Sequence, residues 1–205
     1  MTFAALSQKQ ADLLGEISNI GVGHAATALS QMIGHEVNMR VPSVTVTPFS
    51  RVTEVVGGPE RVVAAVYCSF MGSITGHILL VLPQESASSL VRTLLKGQQA
   101  AQEDWSEEAA SSLREVGNIL ASSYLNALGS LLDMTLIPSV PSIACDMAGA
   151  ILDPLLIEQG RTGDLALLIE TEFFERGETI KGQFFLVPDP ESVSLVIARL
   201  GAEPG

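Results

Sequence analysis

One eight-residue stretch occurs twice in this chain, and the repeat limits strongly what the chain can fold into. The copies are Asp12-Leu-Leu-Gly-Glu16-Ile-Ser-Asn19 and Ser111-Ser-Leu-Arg-Glu115-Val-Gly-Asn118, and they begin 99 residues apart. An α-helix turns by about 100° per residue, so the first, fifth and eighth positions of each copy project within about 60° of one another. Each copy therefore predicts a helix with one narrow polar stripe that carries an acid and an amide.

The apolar residues of both copies fall on the other side of the predicted helices. An amphipathic helix buries such an apolar side against a core. We expect the following residues to face the core: Leu13, Leu14, Ile17, Ile20, Leu113, Val116, Ile119 and Leu120. A polar stripe on a single helix is typical of solvated surface, but the repetition of one acid-amide spacing favours a binding or catalytic role.

The repeat extends to a proline in each half. Pro42 follows Asn19 by 23 residues, and Pro141 follows Asn118 by the same distance. The extended pattern resembles the signature of the CheC family of bacterial chemotaxis phosphatases, which act on the phosphorylated response regulator CheY. The flanking residues 19–28 and 117–124 are also similar to that family. The chain is more similar to CheC than to its relatives, because CheX resembles a version with one usable motif and FliY carries additional domains.

The resemblance implies a fold, a mechanism and a set of roles. Asn19 and Asn118 would insert into the active site of the regulator and orient an in-line water, while Glu16 and Glu115 would pair with the lysine beside the phosphoryl aspartate. The remaining motif positions would tune docking: Asp12, Ser111, Pro42 and Pro141. The Mg²⁺ would belong to the phosphorylated regulator, so the resemblance implies no cofactor held by this chain.

A second partner and a third interpretation follow from the same resemblance. The segment Cys145-Asp146-Met147-Ala-Gly-Ala150 resembles the region with which CheC-type proteins bind the receptor deamidase CheD, and Asp146 and Met147 are its candidate contacts. An aspartate that opens a helix as its N-cap explains Asp146 equally well. A third interpretation is an adaptor that binds phosphorylated CheY or CheD without catalysis.

Composition excludes several other classes of function. Eleven Lys and Arg against 23 Asp and Glu give a net charge of −12, which opposes binding to nucleic acid or anionic lipid. The apolar run Ile78-Leu-Leu-Val-Leu82 is far shorter than the roughly 18 residues of a membrane span, and the first residues lack the pattern of a signal peptide. We therefore expect a cytoplasmic protein without membrane insertion, in which Cys68 and Cys145 are buried thiols and not a disulfide.

No other motif in the chain predicts a metal site or a covalent nucleophile. The three histidines, His24, His35 and His77, are isolated from one another and have no ligand spacing, so we expect them to pack or to lie at the surface. The serines form neither a Gly-x-Ser-x-Gly motif nor a recognisable triad.

The remaining pattern predicts the architecture. We expect a single domain over 1–205 made of two repeated halves, about 7–96 and 106–200, with helices and strands in the same order in each. The fold class is α/β of the α+β type, with pseudo-two-fold symmetry and an antiparallel sheet that has both motif helices packed on one face.

Three local features can be predicted in more detail. Ser7 should cap the first helix in a capping box with Gln10, and Ser106 should cap the second motif helix. Gly21 and Gly23 should kink or break the first helix. Strands at 61–70 and 73–82 should form a hairpin with its turn at residues 71–72.

Overall fold

The two halves of the chain have the same order of helices and strands. The computed structural model describes residues 7–34, 36–41, 43–48, 51–95, 105–158, 165–175 and 178–201. The first half contains α1 (Gln8–Ile33), β1 (Asn38–Arg40), β2 (Val44–Pro48), α2 (Val52–Val55), β3 (Val62–Gly72), β4 (Gly76–Pro83) and α3 (Gln84–Leu94). The second half contains α4 (Glu107–Leu132), β5 (Leu136–Pro138), β6 (Ser142–Met147), α5 (Ala148–Glu158), β7 (Leu165–Glu175), β8 (Glu178–Pro188) and α6 (Pro190–Gly201).

The strands described in the two halves join into one antiparallel sheet of order β1-β7-β8-β4-β3-β5. β4 and β8 pair at its centre, with Leu79 opposite Phe185. The short strands are exchanged between the halves: β1 and β2 of the first half pair with β7, and β5 and β6 of the second half pair with β3. The order is symmetric about the β4–β8 pair, which confirms the predicted pseudo-two-fold arrangement.

Helices cover both faces of the sheet. Along β4, Ile78 and Leu80 pack into the larger core beneath α1 and α4, whereas Leu79 and Val81 point to a smaller core beneath α2 and α5. Because both faces of its centre are buried, β4 is apolar at consecutive positions and does not alternate with polar residues. Both motif helices lie on one face, as predicted.

The first helix is continuous, so the predicted break at Gly21 and Gly23 is wrong. α1 runs unbroken from Gln8 to Ile33. A methyl group at Gly21 would lie 3.0 Å from the Cα of Tyr124 on α4, so the glycine marks a place where the two long helices approach closely. The packing of α4 against this point offsets the helix-propensity cost of glycine, about 1 kcal/mol per residue.

Ile20 does not face the core as predicted. Its side chain is 41% exposed, whereas Ile17 and Ser18 are fully buried. The small residues Ser18 and Gly21 face α4, so the buried arc of α1 is rotated away from Ile20. A prediction from apolar residues alone missed this, because a helix crossing favours small residues whether or not they are apolar.

The hairpin turn of the first half also lies later than predicted. β3 continues through Met71 and Gly72, which pair with Ile137 and Leu136 of β5, and the turn is formed by residues 73–75. Gly72 has a φ of 138°, and a methyl group there would lie 2.0 Å from the carbonyl oxygen of Thr135. The longer strand is thus fixed by a neighbour from the other half of the chain.

The cysteines do not form a disulfide. Cys145 is opposite Ala64 on β3, four residues before Cys68, so the two thiols are separated by about 13 Å of strand. Cys68 is buried, as expected, whereas Cys145 is only half-buried. Burial raises the pKa of both thiols to about 11. No helix among the described residues is both long enough and apolar enough to cross a membrane.

Candidate functional site

Capped helices hold both copies of the repeated motif. The Ser7 side chain accepts a hydrogen bond from the backbone of Gln10, whose own side chain completes the predicted capping box. The Ser106 side chain accepts from the Ala109 backbone at the start of α4. Glu107 and Glu108 in the first turn of α4 also suit the positive end of its dipole. Each motif therefore begins within two turns of a defined helix end.

The second motif lines one open cleft of about 330 Å³. The polar stripe of α4 forms one side of the cleft, and the segment after β5 forms the other. Glu115 and Ser111 are exposed, and Asn118 is half-buried. The complete lining is Ser111, Arg114, Glu115, Asn118, Pro138, Ser139, Val140 and Pro141. The structure thus brings together the four predicted positions of the second copy, including the proline 23 residues away.

The segment with Pro141 is held in place by the sheet. The backbone N–H of Ser139 donates to the carbonyl oxygen of Ser69 at 2.8 Å, and the Ser139 hydroxyl accepts from the backbone N–H of Ser69 at 3.1 Å. Between Ser139 and Pro141, the side chain of Val140 is 90% exposed at the rim of the cleft. The cleft therefore has one wall on a helix and one on an anchored loop, with an apolar side chain available to a partner.

Gly117 brings the second motif close to the sheet. A methyl group at Gly117 would lie 2.4 Å from Cγ1 of Val66, so α4 lies directly on β3 at this point. The counterpart of Gly117 in the first copy is Ser18, whose hydroxyl donates to the carbonyl oxygen of Leu14 and lies 3.5 Å from that of Tyr124. Burial raises the pKa of Tyr124 to about 12. The two motifs are thus supported by different buried contacts.

The first motif has its whole polar stripe exposed. Asp12, Glu16 and Asn19 are all exposed on α1, with the partly exposed Ile20 next to the amide. Pro42, the last position of this copy, lies outside the described residues, so the structure shows the helix side of the first motif and not its proline side. The roles assigned to both copies stay predictions.

Arg114 lines the cleft of the second motif and was not identified from the sequence. Its guanidinium Nη2 lies 2.6 Å from Oε1 of Glu107, and it lines the cleft together with Glu115 and Asn118. The corresponding position of the first copy is Gly15. Arg114 could have been identified by comparing the two copies residue by residue, because the change from glycine to arginine lies beside the polar stripe.

The two candidate CheD contacts end strand β6 and are exposed. Asp146 and Met147 are the last residues of β6, and the Asp146 carboxylate accepts a hydrogen bond from the Met147 backbone at 2.7 Å. The first backbone N–H groups of α5 donate instead to the carbonyl oxygens of Arg61 and Pro59. The backbone of the loop between α2 and β3 thus satisfies these donors, which disfavours the interpretation of Asp146 as a helix cap.

Asp146 also borders an apolar groove of about 400 Å³ between the sheet and α5. Tyr67, Cys145 and Ile151 are among its lining residues. On the same face of the sheet, Tyr67 stacks on His77, with the Tyr67 hydroxyl 2.6 Å from Nδ1 of the imidazole. His77 is thus a packed histidine, as predicted. His24 is exposed, and His35 lies outside the described residues.

Comparisons with known proteins agree with the geometry. The CheC-like family is matched by residues 10–46 and 108–144, two segments that contain both motif copies and both prolines. The CheY-P phosphatase CheC of Bacillus subtilis (strain 168) is 33% identical to this chain over 204 residues, which make up 98% of each protein. The flagellar motor switch phosphatase FliY of the same organism is 30% identical over 139 residues, which cover 67% of this chain and 36% of FliY.

A solved structure has the same fold. The crystal structure of Thermotoga maritima FliY superposes with a TM-score of 0.72 at 21% identity, over 96% of this chain and 98% of that one. The chain is thus a duplicated protein of helices and antiparallel strands that carries an acid and an amide on each of two long helices. Given an identity of 33% to a relative over nearly its whole length, the chain belongs to the CheC-like family. The family resemblance predicted from the motifs is confirmed.

Proposed function

We propose that this protein is a phosphatase that hydrolyses the aspartyl phosphate of a CheY-type response regulator. The observation that supports this most strongly is the cleft of the second motif. Ser111, Glu115, Asn118 and Pro141 converge there, although the proline is 23 residues from the amide. The cleft is open to solvent, and its helix wall carries an exposed carboxylate and a half-buried amide. Such a surface suits contact with a protein partner better than enclosure of a small molecule.

The chemistry that these residues provide is positioning. Hydrolysis of an acyl phosphate requires an in-line water, and the Asn118 amide both donates and accepts hydrogen bonds, so it holds such a water in one orientation. The Glu115 carboxylate accepts from a lysine ammonium of the partner, which fixes the approach of the helix. Mg²⁺ on the partner neutralises charge on the phosphoryl group. Asn19 and Glu16 perform the same tasks at the first motif.

The test is to remove the two amides singly and together. Each of Asn19→Ala and Asn118→Ala should leave part of the activity, and the double variant should nearly abolish it, because loss of a positioning group costs about 10²-fold at its own site. Both amides lie on the polar side of their helices, so the free energy of unfolding should change by less than about 1 kcal/mol. The measurement is phosphate release from phosphorylated CheY.

A matched control is available on the same helix. Asn126 is an exposed asparagine of α4 outside both motifs, so Asn126→Ala should dephosphorylate CheY like the parent protein. If the Asn19/Asn118 double variant retains parental activity, the catalytic proposal fails. A parent protein that binds phosphorylated CheY without accelerating phosphate release would instead support the adaptor.

A second proposed partner is the receptor deamidase CheD, which would bind through Asp146 and Met147. The exposed carboxylate at the rim of an apolar groove, together with the 47% exposure of Met147, supports this assignment. Asp146→Lys should weaken CheD binding at least tenfold in calorimetry without changing phosphate release, because a reversed charge at a contact is repulsive. Unchanged affinity in a folded variant would eliminate the assignment.

A further inference from the structure

The two motif copies differ by two units of formal charge, and Arg114 accounts for one of them. The counterpart of Arg114 in the first copy is Gly15. The first polar stripe carries two carboxylates, of Asp12 and Glu16, whereas a serine replaces the aspartate in the second copy. Within the eight residues of the second copy, the formal charges of Arg114 and Glu115 cancel. Two motifs that the repeat makes similar in sequence are therefore unlike in electrostatics.

Arg114 lies where its side chain borders the polar stripe. At about 100° per residue, Arg114 projects about 40° to one side of Asn118 and Glu115 about 60° to the other side. The amide is thus located between a cation and an anion. All three side chains line the same cleft.

The ion pair with Glu107 does not by itself explain an arginine at this position. Glu107 is 81% exposed and Arg114 is 39% exposed, and an ion pair in such a setting is screened by water and contributes little to stability. A guanidinium has five N–H donors on three nitrogens, arranged to bind oxyanions in pairs, and Glu107 contacts one nitrogen. Glu107 therefore orients the side chain while the guanidinium retains donors for a second anion.

We propose that Arg114 binds an anionic group of the phosphorylated partner, a phosphoryl oxygen or a neighbouring carboxylate, and so makes the second motif the tighter-binding of the two. This inference rests on the proposed function. A charge-assisted contact to an oxyanion is among the stronger polar interactions. At the first motif, the additional carboxylate of Asp12 repels the same group. Arg114 is in this sense a specificity-determining residue.

The first test isolates the second motif with Asn19→Ala. In that background, Arg114→Ala should lower kcat/KM for phosphorylated CheY about tenfold, mainly by raising KM. Arg114→Lys keeps the charge but not the planar fork, so its loss should be smaller. Arg92→Ala, at an exposed arginine of α3, makes the same change in net charge outside the cleft and should stay within about twofold.

The second test transfers the feature to the first motif. A methyl group at Gly15 meets no atom within 4 Å, so the first carbon of an arginine side chain meets no obstacle there. In the Asn118→Ala background, Asp12→Ser combined with Gly15→Arg should raise kcat/KM several-fold. The gain should decrease at about 1 M salt, where charges are screened within about 3 Å. This arm does not depend on whether Arg114→Ala folds.

Calorimetry distinguishes the two sources of the anion. If Arg114 contacts the phosphoryl group, Arg114→Ala should lose affinity only for CheY loaded with beryllofluoride and Mg²⁺. If it contacts a carboxylate, the loss should be equal with unmodified CheY. Unchanged KM and affinity in folded Arg114→Ala, or a second motif with a higher KM than the first, would overturn the inference. Full activity of the Asn19/Asn118 double variant would instead overturn the proposed function.

Discussion

At the scale of single residues, small side chains decide how closely the motif helices approach their supports. Gly21 allows α1 to contact α4 at Tyr124, and Gly117 allows α4 to contact β3 at Val66. Gly15 has no such contact, although it lies in the same helix as Gly21. Glycines of one helix are therefore not equivalent, and their replacement should have opposite effects.

The first prediction compares two alanine substitutions in α1. Gly15→Ala should raise the free energy of unfolding by roughly 0.5–1 kcal/mol, because alanine favours the helix and its methyl group meets no atom within 4 Å. Gly21→Ala should lower it by about 1–3 kcal/mol, because its methyl group would lie 3.0 Å from the backbone of Tyr124. Urea unfolding measures both. A stabilising Gly21→Ala would mean that the helices do not cross there.

At the scale of secondary-structure elements, the exchanged strands join the halves through an ion pair as well as through the backbone. Arg40 of β1 is opposite Glu172 of β7, and its Nε lies 2.6 Å from the carboxylate. Lys181 of β8 lies 3.5 Å from the other oxygen. The Glu172 side chain is only 10% exposed, and the hydrogen bond from Arg40 lowers its pKa, with Lys181 adding to the effect.

This lowered pKa predicts how stability depends on pH. A carboxyl group whose pKa is lower in the folded state stabilises the protein fully above its unfolded pKa, about 4.3 for glutamate. The contribution is lost as the pH falls through the folded pKa. It should be roughly 1 kcal/mol, since Arg40 is 63% exposed and water weakens the pair.

Urea unfolding between about pH 3 and 6 tests this prediction, because the window spans the unfolded pKa of glutamate. Glu172→Gln should remove the part of the acid-dependent loss of stability that comes from the ion pair of Glu172 with Arg40. Glu54→Gln is the control, because Glu54 pairs with Arg51 where both side chains are mostly exposed, and it should leave the loss unchanged. Identical pH profiles for the parent protein and Glu172→Gln would contradict the prediction.

At the scale of the whole molecule, each half completes the sheet of the other. β3 of the first half has β4 on one side, but its other edge is covered by β5 and β6 of the second half. In the same way, β7 is covered by β1 and β2. A half on its own would expose one edge of its longest strand and one side of its motif helix, which packs against the other motif helix in the full chain.

We therefore predict that residues 7–96 expressed alone do not fold cooperatively. Far-UV circular dichroism during urea unfolding should show no sigmoidal transition for this fragment. Trp105 lies between the two halves in the sequence and packs against the larger core. The full chain should give one transition, at which circular dichroism and the fluorescence of Trp105 change together. A fragment with its own sharp transition would show that the halves are independent domains.

The sequence by itself determined the features that depend on local periodicity. The rotation of about 100° per residue places Ser111, Glu115 and Asn118 on one stripe in any α-helix, and the capping pattern fixes where α1 and α4 begin. The repeat added what local patterns lack, because only a second proline at the same spacing indicated that Pro141 belongs to the motif. Both motif stripes, and the order of elements in each half, therefore follow from the amino-acid sequence alone.

Only the tertiary structure decided which distant segments meet. The continuity of α1 at Gly21, the exposure of Ile20 and the extension of β3 to Gly72 all depend on contacts with residues of the second half. The position of Arg114 at the cleft likewise depends on a loop held by β3. A local pattern constrains only neighbours within a few turns or one strand, whereas these contacts join residues up to about a hundred positions apart whose pairing depends on the complete sheet and its covering helices.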